Sequence, residues 1–170
     1  MKPLVLNSTP LIYLTKIGLG SVLEALRVEN LTSPEVRKEV VNKGKGKGVP
    51  DALILEGMFE IHTLQVVEPK DQRLLLRLPE TRGLHLTDAQ ILVIAKERGG
   101  IAIVDDASAR KTAKIYGIPY AGTPYILMRA VLQKLITKER AEQAIDEMIS
   151  AGWRCHVETY AEIMRTIEKL

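Results

Sequence analysis

Two short segments of this chain are apolar at every position, where a half-exposed strand would be apolar at every second one. "PLVLN" opens the sequence and "IAIVDD" begins near residue 101. A strand with one face in water alternates apolar and polar residues, so runs like these belong to strands covered on both faces. Helical spacing follows each of them, in "TPLIYLTKIG" and in "ASARKTAKIYG". Short apolar strands alternating with helices predict an α/β domain, a parallel central sheet with helices on both sides.

The remaining segments fit that alternation. "GSVLEALR" has helical spacing, and Ser33 and Pro34 suit the start of a helix in "SPEVRKEVVNKG". "KGKGKGVP", residues 43 to 50, reads as a mobile loop. "DALILEGMF" predicts a short helix, "IHTLQVV" a strand and "KDQRLLLRLP" another helix. "TDAQILVIAKERGG" predicts an apolar helix opened by a Thr87/Gln90 capping box and stopped by Gly-Gly. "IPYAG" is a short strand, "TPYILMRAVLQK" a helix, and the chain is mostly helical and amphipathic to Leu170. There is no internal repeat.

Composition narrows the function classes. The 170 residues suit one domain, and 46% hydrophobic content places it among globular chains. Aromatics are only 4%, too few for a base-stacking platform to be its main device. Lysine and arginine exceed aspartate and glutamate by 24 to 21, a mild +3 that permits a nucleic-acid partner without indicating one. The single Cys155 excludes an internal disulfide or a multi-cysteine zinc site, and His62, His85 and His156 show no zinc spacing. No signal peptide is evident, and no run approaches the roughly 18 apolar residues of a membrane span. A soluble, cytoplasmic protein without a membrane partner is expected.

In a sheet of this kind, sites form beyond the carboxyl ends of the strands. That edge receives Asn7, Ser8 and Thr9 after the first strand, and Asp105 and Asp106 after "IAIV". The helix before "IAIV" must run antiparallel to it, which brings Asp88, in its first turn, to the same edge. Asp88 alone could simply answer the helix dipole, and either of Asp105 and Asp106 could cap the next helix. Successive residues leave a strand in opposite directions, so one of that pair is expected in the site and the other in support. Glu39 lies about 60° from Val36 around its helix, at the margin of the buried stripe. Three or four carboxylates meeting without lysine or arginine would repel, and a hard divalent cation such as Mg²⁺ or Mn²⁺ resolves that repulsion.

The order "NSTPLIYL", "SPEVRKEV", "LTDAQILVIAKE", "IAIVDDASARKTAKIYGI" and "GTPYILMRA" resembles the PIN-domain superfamily. Within it, the motifs are similar to a prokaryotic, archaeal-type branch of nucleic-acid-binding proteins. The resemblance covers about residues 4 to 136 and implies a three-layer α/β/α fold. It divides the chain into a PIN-like domain, 1–136, and a helical C-terminal extension, 137–170, packed on that domain. It implies an Mg²⁺- or Mn²⁺-dependent endoribonuclease leaving a 5′-phosphate and a 3′-hydroxyl, in one branch the toxin of a toxin–antitoxin pair.

Carried over by position, the first family acid falls on Asn7, the second on Glu39, the third on Asp88 and the fourth on Asp106, with Asp105 beside it. The implied catalytic residues are Glu39, Asp88 and Asp106. The implied metal ligands are Asn7, Asp88, Asp105 and Asp106, with Ser8 and Thr9 as polar lining. Asn7 departs from the usual aspartate, offering an amide oxygen and no charge. The alternative is therefore a weak or inactive PIN module that binds RNA or a protein partner. Lys43, Lys45 and Lys47 fit contacts to an RNA backbone. An antitoxin and a second copy of the chain are further candidate partners. A nucleotide-binding α/β domain ranks below these, because neither phosphate-binding glycine motif is present.

Overall fold

The computed structural model describes residues 1–46, 48, 50–78 and 83–170, with Lys43 and Gly44 described by backbone alone. Its first half contains β1 (Leu4–Leu6), α1 (Ser8–Lys16), α2 (Val22–Ala25), β2 (Asn30–Thr32) and α3 (Pro34–Arg37). A π-helical segment, Lys38–Lys43, continues α3 into a single turn, α4 (Gly44–Gly46), before α5 (Asp51–Glu60), β3 (Gln65–Val66) and α6 (Gln72–Arg77). The second half holds α7 (Leu86–Arg98), β4 (Ile101–Ile103), α8 (Ala107–Ile115), β5 (Tyr120–Ala121) and α9 (Thr123–Leu132). Two longer helices, α10 (Lys138–Ser150) and α11 (Val157–Glu168), complete the chain.

The five strands form one sheet in the order β3-β2-β1-β4-β5, parallel at every pairing. Helices cover both faces, and the architecture is the expected three-layer α/β/α fold. Leu4, Val5 and Leu6 of β1 are fully buried, as are Ala102 and Ile103 of β4. That burial is the physical content of their unbroken apolar runs. β1 pairs with β2 on one side and with β4 on the other, so the strand order reverses at β1. Ligand crevices open at such reversals, beyond the carboxyl ends of the strands.

Several local expectations need correction. β2 hides in "VENLTS", where Asn30 and Thr32 spoil the apolar run. Both are buried: Asn30 Nδ2 donates to Leu23 O at 2.9 Å and Thr32 Oγ1 donates to Leu6 O at 2.7 Å, while Asn30 Oδ1 is left without a partner among the described residues. "KGKGKGVP" is not wholly a loop, since helical structure runs through Gly46; each added residue of an existing helix costs far less than starting one. Lys47 lies outside the described residues. α7 starts at Leu86, earlier than the Thr87/Gln90 box allows; its cap is His85, whose N–H donates to Asp88 Oδ2 at 3.2 Å. Thr87 then sits inside the helix, where its hydroxyl cannot cap. The Gly99 stop is as expected, with φ +59 in the left-handed region.

Candidate active site

The end of β1 supplies the first side chains. Asn7 has extended backbone, and its N–H donates to Ile103 O at 3.2 Å, prolonging the β1–β4 pairing to the sheet edge. Its side chain faces two demands at once. Oδ1 accepts from the Ser8 N–H at 2.8 Å, capping α1, while Nδ2 donates to Asp88 Oδ1 at 2.7 Å. The amide cannot turn over, because that would set oxygen against a carboxylate and nitrogen against an N–H. The buried Ser8 hydroxyl donates to Glu39 Oε2 at 2.8 Å. Glu39 is half-buried and lies in the π-helical segment. Thr9 is half-buried beside them.

Asp88 reaches the same edge from α7 and is only 4% exposed. Burial pushes its carboxyl above the usual carboxylate range, and the charge of Asp106 pushes the same way. The His85 N–H and the Asn7 amide oppose that rise. Asp106 also caps α8, accepting from the Ala109 N–H at 3.0 Å. Asp88 and Asp106 are thus near enough for their charges to act on one another. Among the described residues, no lysine or arginine forms an ion pair with Asp88, Asp106 or Glu39.

Asp105 turns elsewhere. Its Oδ1 accepts from the Thr123 N–H at 2.8 Å and from Arg110 at 3.3 Å; its Oδ2 accepts from the Thr123 hydroxyl at 2.5 Å and the Trp153 indole at 3.1 Å. Both oxygens are engaged in tying the ends of β4, α8 and α9 to the C-terminal segment, so Asp105 forms a junction there and turns neither oxygen freely to the acid pocket. Gly122 permits it: a Cβ there would collide with the Arg110 guanidinium and lie 2.8 Å from Asp105 Oδ1. Asp105→Ala would leave the Thr123 N–H and the Trp153 indole without partners. It should lower stability by about 3 kcal/mol, read from denaturant unfolding. A loss below about 1 kcal/mol would remove the junction from the fold's supports.

Trp153, Thr123 and Arg110 were not singled out by the sequence. One signal was available: Trp153 is the chain's sole tryptophan, set in a tail that carries little of the motif resemblance. Of the three lysines, Lys45 pairs with Glu56, Lys43 ends the π-helical segment and Lys47 is not described.

The donor set decides what ion it could hold. Among the described residues, no group of three or more His, Cys, Asp or Glu side chains is gathered to hold a metal. The Asn7 oxygen is taken up by Ser8, so Asn7 offers its amide nitrogen to the pocket where a ligand oxygen was expected. What is left is the Asp88–Asp106 pair. Mg²⁺ binds commonly through one or two carboxylates with retained water and substrate phosphate. The pair fits that mode, and among the described residues no four-ligand cage is gathered.

The α/β/α domain thus sets Asn7 beyond β1, Asp106 beyond β4 and Asp88 of α7 at the reversal of strand order. A family model described as a PIN domain matches residues 3–169, and the chain belongs to the PIN-domain family. The match extends through α10 and α11, past residue 136, where the motif resemblance stops. No curated protein matches the chain. PIN domains generally use divalent metal ions, and the family suggests nucleic-acid binding. Among the described residues, no helix is long and apolar enough to cross a membrane.

Proposed function

We propose that this PIN domain is an Mg²⁺- or Mn²⁺-dependent endoribonuclease whose working acids are Asp88, Asp106 and Glu39. The observation that carries the reading is the Asp88–Asp106 pair, two mutually repelling carboxylates, one of them buried, with no cationic side chain paired to either. These two would hold the ion. Bound there, a divalent ion supplies the positive charge that in-line displacement at phosphorus requires. The Asn7 amide donates to Asp88 and fixes the direction of its carboxylate. The Ser8 hydroxyl holds Glu39 by Oε2, leaving Oε1 to take a proton from an attacking water. Cleavage would leave a 5′-phosphate and a 3′-hydroxyl. The test is incubation of a structured RNA with Mn²⁺ and with a chelator. Loss of full-length RNA only with Mn²⁺ supports the reading.

One observation favours a second reading, a PIN module that binds RNA or a protein without cutting. The side-chain N–H of Asn7 already meets part of the need of Asp88 for a positive partner. RNA left intact at every Mn²⁺ concentration, but bound, would select it. As a cytoplasmic toxin the protein would be held by an antitoxin. Co-purification of a small DNA-binding-type protein encoded beside it tests that partner, and mass in solution tests a homodimer.

The Lys43, Lys45 and Lys47 segment supports the RNA reading by charge. Replacing all three with serine should leave the melting temperature nearly unchanged and weaken RNA binding at low salt. The salt slope should become shallower by roughly 0.7 for each phosphate of a single strand that is no longer neutralised. An unchanged slope would make the segment a connection only.

A further inference from the structure

Beside the acid pocket lies a cleft of about 680 Å³ that the proposed chemistry leaves unused. It shares Thr9 and Asp106 with that pocket, and its remaining walls include Tyr13, Arg110, Arg154 and His156. Arg154 and His156 come from residues 151–156, the connection between α10 and α11. That connection is held in place. The Trp153 N–H donates to Met148 O at 2.9 Å, and its indole donates to Asp105 Oδ2 at 3.1 Å. Trp153 is buried, so it anchors the wall and offers no stacking face.

The cleft carries charges of both signs, the carboxylates of Asp105 and Asp106 and the guanidinium groups of Arg110 and Arg154. Arg110 is partly neutralised by Asp105. Arg154 is exposed, and among the described residues it makes no hydrogen bond or ion pair. An unpaired arginine on an ordered wall of a cleft that Asp106 also lines suits a polyanion with regularly spaced charges. Guanidinium binds phosphate through paired N–H donors more readily than it binds a lone charge. α11 starts at this rim with no side-chain cap at His156, so its positive end adds to the same field.

We propose that this cleft holds the nucleotide next to the scissile position of a single-stranded RNA, with Arg154, assisted by Arg110, on its phosphate. The C-terminal segment is then part of the substrate site. The inference rests on the endoribonuclease reading for its geometry but is tested without cleavage. A fluorescein-labelled ten-nucleotide oligouridylate is titrated in chelator, by anisotropy, against the parent protein, Arg154→Ala and Arg154→Glu. Arg154→Ala should bind about 5-fold more weakly and Arg154→Glu more weakly still, with melting temperatures unchanged because Arg154 makes no hydrogen bond or ion pair among the described residues. The salt slope should fall by roughly 0.7. Arg154→Lys should recover part of the affinity. Equal affinities and slopes for the parent and Arg154→Glu overturn the proposal even if the protein cuts RNA. The predicted losses sustain it even if no cleavage is seen, and failure of the nuclease reading is then recorded separately.

Discussion

Asp88→Asn should remove both the proposed nuclease activity and the proposed stabilisation by divalent ions. In the parent protein, Mn²⁺ at 100 times its Kd should add about 2.7 kcal/mol, a rise of roughly 5–10 °C in melting temperature for a domain of this size. The variant should show almost none of that rise, and RNA cleavage should fall by about 1000-fold or more, equivalent to about 4 kcal/mol of transition-state stabilisation. The ion-free protein should respond in the opposite sense to pH. Burial raises the Asp88 pKa in the folded state. Its contribution to stability is therefore full below the ordinary aspartate value and is lost as pH rises through the raised one. Asp88→Asn removes that loss, so melting temperatures taken from about pH 4 to 7 should show a flatter decline, or a steeper rise, than the parent. A parent-like Mn²⁺ response in the variant would move the ion away from Asp88.

Asn7→Asp should have the second largest effect, and its sign should depend on the ion. Without Mn²⁺, the change deletes the N–H that donates to Asp88 at 2.7 Å and sets a third carboxylate beside Asp88 and Asp106. A hydrogen bond to a charged group contributes about 1.5–3 kcal/mol, and the added repulsion comes on top, so the ion-free protein should melt several degrees lower. With Mn²⁺, the same carboxylate joins the ligands, so the ion should bind more tightly and any cleavage should accelerate. The capping of α1 should survive, since aspartate and asparagine cap about equally well. Equal melting temperatures for both proteins, with and without Mn²⁺, would return Asn7 to the role of a helix cap.

The shared edge was legible because its positions follow from topology. Once "PLVLN" and "IAIVDD" are parallel neighbours, Asn7, Asp88 and Asp106 must share one edge. Helical angle put Glu39 only at the margin of the buried stripe; the family resemblance suggested its role, and neither showed the π-helical segment that carries it. What the sequence could not separate was Asp105 from Asp106. The two are adjacent and chemically identical, and only the positions of Thr123, Trp153 and Arg110 show that Asp105 is committed to another task. Asn7 was equally ambiguous, because an amide presents an acceptor and a donor of the same size.

By itself, then, the sequence determined the layer architecture, the edge at which the acids gather and the family to which the chain belongs. Those depend on periodicity and connectivity, which are local and additive along the chain. Tertiary structure alone decided the direction of the Asn7 amide, the division of labour between Asp105 and Asp106, and the return of the C-terminal segment to wall the cleft beside them. Each of these rests on hydrogen bonds between residues far apart in the chain: Asn7 with Asp88, and Asp105 with Trp153. Such bonds are directional and short-ranged, so they are settled only once packing has brought their partners within about 3 Å.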